Sequence, residues 1–283
     1  MEGLLDITDE EFRSIAGLVY DRFGINLSDK KKVLVRGRLN KLLRAQNYKS
    51  FNDYFEDVLA DKTGKNLLTL IDKISTNHSF FYRESDHFVY LKEHILPELI
   101  QGGNIKSSDD LRIWCAGCAA GEEAYTIAMV VAESFPTSFF TGSPVILATD
   151  ISMTALEMAV LGRYTEEKIR GLPEGMRKKY TTHEKGGVYE IKKELKNLIL
   201  FKRLNFKQKI FPFKKKFQIV FCRNVMIYFD QATKLDLAGR IGRYIVPGGY
   251  FLIGHSESLG RDMADYQYIR PALYRKIDGG CQN

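Results

Sequence analysis

Apolar residues at Phe12, Ile15, Ala16, Val19 and Phe23 recur at the three-to-four spacing of an amphipathic helix. Ahead of them, Thr8-Asp-Glu-Glu11 places Glu three residues after Thr, the signature of a reciprocal N-terminal cap, and Gly24 closes the run. A second helix is predicted from near Ser28 to about Ala45. A third is predicted from Leu67 to Ile74, stopped by Ser75-Thr76-Asn77. No strand-like alternation interrupts residues 1–75, which read as an all-α N-terminal domain.

The pattern changes after residue 105. Short apolar runs at Leu111–Cys115, Val145–Asp150, Leu198–Leu204, Phe217–Cys222 and Tyr250–Gly254 read as strands. Helical stretches at Glu122–Ser134 and Met153–Leu161 separate the first of them. Strands alternating with helices predict an α/β fold, a doubly wound and mostly parallel sheet. Residues 164–197 break the rhythm. They are charged, dotted with glycine, and contain the alternating Gly187-Val-Tyr-Glu-Ile191, so a small antiparallel β insertion is expected there. The expected organisation is a helical domain over 1–75, a linker over 76–104 and the sheet domain over 105–283.

Composition narrows the function classes. The chain has 283 residues, 45% of them hydrophobic, enough for a sizeable core. Lys plus Arg number 42 and Asp plus Glu 35, a net charge of +7 that favours acidic partners without naming one. No apolar run reaches the roughly 18–20 residues that span a bilayer. The acidic start MEGLLDITDEEF does not read as a secretory signal, so a cytoplasmic protein is expected, with no membrane insertion. Four Cys suggest no disulfide framework.

Ligands of an open parallel sheet bind beyond the carboxyl ends of its strands. Three candidates fall there. Gly117-Cys-Ala-Ala-Gly121-Glu122-Glu123 follows the first strand, and its small residues let a ligand approach the backbone. Asp150 closes the second strand, where an acid can accept hydrogen bonds from a ribose diol. Cys222-Arg223-Asn224 closes a later one. The glycine spacing is not that of dinucleotide sites, and Asp150 lies 29 residues after Gly121, longer than the ~20 of that fingerprint. A nucleoside without a pyrophosphate fits better, S-adenosylmethionine (SAM) among them. Alone, the loop reads equally as an ordinary turn and Asp150 as a helix N-cap; their occurrence at successive strand ends favours a ligand.

Four segments carry a more specific signal: Thr76-Asn-His-Ser-Phe-Phe-Tyr-Arg-Glu84, Gly117–Tyr125, Ala148-Thr-Asp150 and Phe221-Cys-Arg-Asn-Val-Met-Ile-Tyr-Phe229. Together they resemble the CheR family, the SAM-dependent chemoreceptor glutamate methyltransferases of bacterial chemotaxis. The resemblance covers nearly the whole chain. It implies an enzyme that forms methyl esters on receptor glutamates, with SAM contacts at Asn77, Ser79, Arg83, Glu123, Asp150, Asn205, Phe206, Arg223 and Asn224. It also implies that Arg83 and Tyr228 lie closest to the transfer step. Ser79 stands where the family commonly has Thr, Tyr82 where Phe is common, and Ala119-Ala120 and Ala124 replace Ser-Thr and Pro; these changes keep the loop small and remove no group the chemistry needs. A glutamate, with a reference pKa of ~4.3, is already ionised at neutral pH, so no general base is required.

The second predicted helix is basic. Lys30, Arg38, Lys41 and Arg44 share one broad face, opposite Val35, Leu39 and Leu42. Such a face is often only solvated surface. With the resemblance, Arg38, Lys41 and Arg44 become candidates for docking the Glu-rich helical region of chemoreceptors, and the enzyme, expected to be a monomer, for recruitment to membrane receptor arrays. Lys192–Lys216 holds ten Lys or Arg against one acid, Glu194. It accompanies no nucleic-acid module, so no nucleic-acid partner is expected. Members of the family that grip a receptor C-terminal pentapeptide usually have a longer Gly-rich loop than Thr181–Gly187, so tether-independence is expected. Cys115-x-x-Cys118 has no second pair at metal spacing, and no metal is expected there. His78 is read as a surface residue and His255 as structural.

Overall fold

Thr8 caps the first helix as its spacing predicts. Its hydroxyl accepts from the Glu11 amide at 3.1 Å, and the Glu11 carboxylate accepts from the Thr8 amide at 2.8 Å. The structure, a computed structural model, describes residues 5–103, 105–184, 186–260, 263 and 265–277. Helices α1 (Asp9–Phe23), α2 (Lys32–Ala45), α3 (Phe51–Ala60) and α4 (Lys65–Ile74) form the N-terminal domain around a core of Phe12, Ile15, Val19, Leu39, Leu43, Tyr54 and Ile71. Two differences from the sequence reading stand out. Asp29–Lys31 is a 3₁₀ turn, so the basic helix proper begins at Lys32. Helix α3 was not anticipated, although Phe51, Tyr54 and Val58 bury one stripe and the Ser50 hydroxyl caps it at the Asp53 amide, 3.0 Å away.

Helix α5 (Asp86–Tyr90) runs through a π-helical turn, Leu91–Ile95, into α6 (Leu96–Gln101). The sheet domain follows as β1 (Ile113–Ala116), α7 (Glu122–Ser134), β2 (Ile146–Asp150) and α8 (Met153–Leu161). Next comes the insertion: β3 (Arg163–Thr165), α9 (Glu166–Ile169), α10 (Glu174–Tyr180), β4 (Thr181–Glu184), β5 (Val188–Ile191) and α11 (Lys193–Lys196). The chain ends with β6 (Ile199–Arg203), β7 (Phe217–Cys222), α12 (Gln231–Gly242), β8 (Ile245–Ile253), β9 (Tyr266–Arg270) and β10 (Leu273–Lys276). The main sheet has order β6-β2-β1-β7-β8-β10-β9. Its first five strands pair in parallel, while β10 runs antiparallel to both neighbours. The insertion folds as an antiparallel sheet of order β3-β5-β4. The fold is therefore the mixed α/β architecture expected, with a mostly parallel sheet, a small antiparallel one and an all-α domain.

Strands β1 and β7 are buried along their whole length, which is why they read as continuous apolar runs. Strand β8 begins at Ile245, earlier than the expected Tyr250, because Pro247-Gly-Gly249 hides its start from an apolar count. Strands β9 and β10, and helices α5, α6 and α12, went unread in the sequence.

The helical domain packs across the carboxyl ends of the parallel strands. The Tyr20 hydroxyl donates to Asp230 at 2.6 Å, the Asn26 amide to the Tyr228 carbonyl at 2.8 Å, and the Met153 amide to Asp72 at 2.9 Å. The insertion approaches from another side. Lys168 Nζ reaches the Ser79 carbonyl at 2.7 Å and the buried Glu122 carboxylate at 2.9 Å, and the Tyr164 hydroxyl donates to the Ala120 carbonyl at 2.6 Å.

Gly171 marks how tightly the insertion fits: a Cβ there would lie 2.4 Å from the Phe81 carbonyl oxygen, whereas one at Gly175, within α10, would meet nothing within 4 Å. The two sites should respond oppositely to the same substitution. Gly171→Ala should lower the melting temperature, and Gly175→Ala should raise stability by about 0.5–1 kcal/mol, as measured by thermal denaturation.

Candidate active site

The ends of β1, β2 and β7 meet the helical domain at one cleft. Its walls include Asn77, Ser79, Arg83, Glu123, Asp150, Asn205, Phe206, Arg223, Asn224 and Tyr228. Every residue expected to touch the cofactor thus faces a single space, together with both residues expected nearest the transfer. Phe23, Ile25, Leu27, Leu34 and Ile74 of the helical domain close it with apolar surface.

The loop after β1 is shaped by backbone that only certain residues tolerate. Gly117 has φ +84°, and a Cβ on it would sit 2.2 Å from the Val225 side chain. Its amide and that of Cys118 bond to the Thr149 carbonyl at 2.7 and 2.9 Å. Asp150 then locks the loop, accepting from the Ala119 amide at 2.8 Å and the Ser152 amide at 2.9 Å. Each carboxylate oxygen keeps a lone pair for a diol. Asp150 is not the cap of α8; Ser152 does that. Burial pushes the Asp150 carboxyl up, against hydrogen bonds from the Ser152, Ala119 and Ile151 amides.

At the end of β7 lies Arg223, its side chain 0% exposed. Its guanidinium meets Glu123 at 2.7 Å and Glu84 at 3.0 Å, donates to the Arg83 carbonyl, and lies 5.1 Å from the centre of the Phe88 ring. The two carboxylates respond differently. Burial pushes Glu123 up, and Arg223 offsets this only in part. Burial would raise Glu84 too, but Arg223, Asn224 and the His255 amide bring it below the usual carboxylate range. Glu123 is the more deeply buried of the two and also has fewer donors. Glu84 accepts from Arg223, Asn224 and His255, whereas Glu123 has Arg223 and the weak Cys115 thiol.

Arg83 has no carboxylate partner among the described residues. It donates to the His78 carbonyl at 3.2 Å and lies 5.7 Å from the Phe80 ring centre, so its charge is free to meet an anion. The Tyr228 hydroxyl reaches the Thr76 carbonyl at 3.4 Å, and Lys31 Nζ sits 5.4 Å from its ring centre. Asn205 is shared with the helical domain, donating to the Arg22 carbonyl at 2.8 Å. Phe206 packs edge-on against Trp114.

The donor set suits SAM. A free guanidinium and a buried one can face its carboxylate, Glu123 and Asp150 can face its ammonium and ribose, and Phe206 and Ile151 offer apolar surface to a base. The cofactor would supply an electrophilic methyl group on a sulfonium. Cys115, Cys118 and Cys222 are buried thiols whose pKa burial pushes well above the ordinary value, so none is a reactive thiolate or a ready metal ligand. Cys281 lies outside the described residues.

Of the expected docking residues, Lys41 and Arg44 are exposed and have no ion-pair partner among the described residues. Arg38 is placed differently. Its guanidinium turns towards the end of α4, donating to the Ile74 and Ser75 carbonyls and the Thr76 hydroxyl. Helix ends leave carbonyls without intrahelical partners, and a long cationic side chain one helix away is well suited to satisfy them. Lys32 and Arg36 are likewise taken by Asp9 and Asp6.

Three residues went unassigned in the sequence reading. Lys31 lines the cleft, and burial lowers its pKa. Glu84 stood inside a recognised motif without a role. Glu257 lies three residues past Gly254, and an acid just beyond a parallel strand was its only signal. It accepts from the Gly254, Asn224 and Ile227 amides at 2.6, 2.9 and 3.1 Å and so holds the loop that carries Arg223 and Tyr228. Burial pushes its carboxyl up against those bonds. Glu257→Ala strands these donors and should cost about 3 kcal/mol in chemical denaturation, with weaker S-adenosylhomocysteine binding by calorimetry; Glu257→Gln should fall between it and the parent.

Comparisons with known proteins agree with this geometry. The family model described as "CheR methyltransferase, SAM binding domain" matches residues 77–273, and that described as "CheR methyltransferase, all-alpha domain" matches residues 10–75. The chain is 44% identical over 273 residues to a chemotaxis protein methyltransferase of Borreliella burgdorferi, with 96% of each chain covered. It is 33% identical over 257 residues to the chemotaxis protein methyltransferase of Escherichia coli, covering 90% of this chain and 86% of that one. With a cleft built at the strand ends of a methyltransferase sheet and both family domains present in order, the chain belongs to the CheR methyltransferase family of SAM-dependent enzymes.

Proposed function

We propose that the chain transfers the methyl group of SAM to glutamate side-chain carboxylates of bacterial chemoreceptors, forming methyl esters. The observation that carries this reading is the pairing of an anion-seeking wall with an acid-lined one. Arg83, Lys31 and the Tyr228 hydroxyl line the same cleft as Glu123 and Asp150. The first group suits an anionic acceptor, and the second a cationic cofactor.

The residues then have separable tasks. Asp150 holds the ribose, while Arg223, Arg83, Asn77 and Ser79 hold the amino-acid end beside Glu123. Asn205, Phe206 and Asn224 complete the cofactor's bed. Arg83 and Tyr228 turn the incoming carboxylate so that one oxygen lies in line with the methyl carbon. A carbon–oxygen bond forms as the carbon–sulfur bond breaks, and the opposite charges of the reactants vanish together. Water stabilises those charges, so the apolar wall from the helical domain favours reaction by excluding it. No proton moves, which suits a cleft in which no side chain is assigned as a base.

Docking rests on Lys41 and Arg44, exposed on α2 and without an ion-pair partner among the described residues, with Arg38 holding the junction between α4 and the linker as well as contributing charge. A Glu-rich helical receptor surface is the complementary partner, and binding through α2 needs no peptide tether. Recruitment of the enzyme to membrane receptor arrays follows from such docking.

The decisive assay is transfer of labelled methyl from SAM to a purified chemoreceptor cytoplasmic fragment, followed by brief alkali. Volatile label is expected, as a carboxyl ester requires; alkali-stable label or none would refute the glutamate reading. In the same assay, Tyr228→Phe and Arg83→Ala should each lower kcat by about 10²-fold or more while the fold stays intact. Wild-type turnover in both would refute their assignment.

A fragment lacking the receptor's C-terminal pentapeptide should be methylated as fast as the intact one. Its KM should rise with added salt and in Lys41→Glu/Arg44→Glu, with SAM affinity unchanged.

A further inference from the structure

Three metal-ligating side chains meet behind the Arg223 ion pair. Glu84, His87 on α5, and His255 just after β8 each bring one ligand atom within 4.8 Å of the others. None of the three lines the cofactor cleft.

His87 is the unexplained member. It is 3% exposed, and neither of its ring nitrogens has a hydrogen-bond partner among the described residues. Nδ1 lies 3.8 Å from Glu84 Oε2, too far for a bond. An interior imidazole left unsatisfied on both sides carries an uncompensated desolvation cost. An imidazole with a free ring nitrogen can donate its lone pair to a cation.

The second histidine is held for the same purpose. His255 Nε2 lies 3.2 Å from the Asp86 carboxylate, and Arg270 stands 3.6 Å from that carboxylate. Ligating histidines are commonly oriented this way, one ring nitrogen on a carboxylate and the other on the ion. The His255 side chain is 44% exposed, so solvent reaches the cluster from its side. Two imidazoles and one carboxylate are donors for zinc-class ions, not for calcium or magnesium, which take oxygen ligands.

We propose that Glu84, His87 and His255 form a site for one zinc-class divalent cation, with Asp86 supporting the His255 ring, and that this ion competes with Arg223 and Asn224 for Glu84. Glu84 bonds Arg223 through Oε2 and Asn224 through Oε1, and both of those residues line the cofactor cleft. An ion drawing on Glu84 loosens both. Occupation therefore opposes cofactor binding, and the coupling is reciprocal.

The test is calorimetric titration of Zn²⁺ alone, and of Co²⁺ alone, into the full chain without cofactor. One ion per chain is expected. His255→Ala, at a partly exposed position, should abolish uptake; Asp86→Asn should weaken it about tenfold. His183→Ala, on an exposed histidine in β4, should leave it unchanged. The Zn²⁺-loaded protein should bind S-adenosylhomocysteine more weakly, and Zn²⁺ affinity should fall by the same factor when S-adenosylhomocysteine is present. No 1:1 uptake, or uptake unchanged in His255→Ala, overturns the site and leaves an ordered water as the partner of His87. Unchanged S-adenosylhomocysteine affinity in the loaded protein overturns the competition.

Discussion

A guanidinium with no exposed surface holds this molecule's working end together. Arg223 sits at the end of β7 between Glu123 on α7 and Glu84 in the segment before α5. Removing one partner from such a buried arrangement typically costs about 3–5 kcal/mol, because a charge is left without compensation. The arrangement is therefore a constraint on sequence positions far apart in the chain, 83–84, 123 and 223–224. Each carboxylate also has a second obligation, Glu84 to Asn224 and the His255 amide, Glu123 to the cleft. Among the described residues the Nε of Arg223 has no hydrogen-bond partner.

Everything around that pair is braced from outside the sheet. Glu257 gathers two backbone amides of the loop after β7, those of Asn224 and Ile227, with the Gly254 amide at the end of β8, and so ties the loop that carries Arg223 and Tyr228 to the neighbouring strand. The insertion holds the other side, with Lys168 on the Ser79 carbonyl and Glu122, Tyr164 on Ala120, and Gly171 pressed against Phe81. A site assembled at strand ends depends on loops, and loops hold a geometry only when something packs on them.

The helical domain has two faces with different work. One supplies apolar wall to the cleft through Phe23, Ile25, Leu27, Leu34 and Ile74. The other exposes Lys41 and Arg44. Between them Arg38 ties α2 to the last carbonyls of α4, at the point where the chain leaves for Asn77 and Ser79.

The sequence by itself determined the local elements and the chemistry on offer. Periodicity and a capping box marked α1; helical stretches between strand-like runs marked α7 and α8; continuous apolar runs marked β1, β2 and β7, because strands buried on both faces have no polar side to show. Motif by motif, through the resemblance, it also singled out the residues that line the cleft. Strands β9 and β10 escaped because they are short and carry few buried positions, whereas helix α3 offered a legible stripe at Phe51, Tyr54 and Val58 with a Ser50 cap and went unread. Tertiary structure alone decided the pairings. Whether Arg38 faces solvent or a helix end, which two acids share Arg223, what Glu257 holds, and where His87 is buried without a hydrogen-bond partner among the described residues all depend on atoms brought together from distant parts of the chain. A one-dimensional pattern records which groups are present and what they prefer locally. The energy of a buried charge or an unsatisfied nitrogen depends on its three-dimensional neighbours, which only the folded chain supplies.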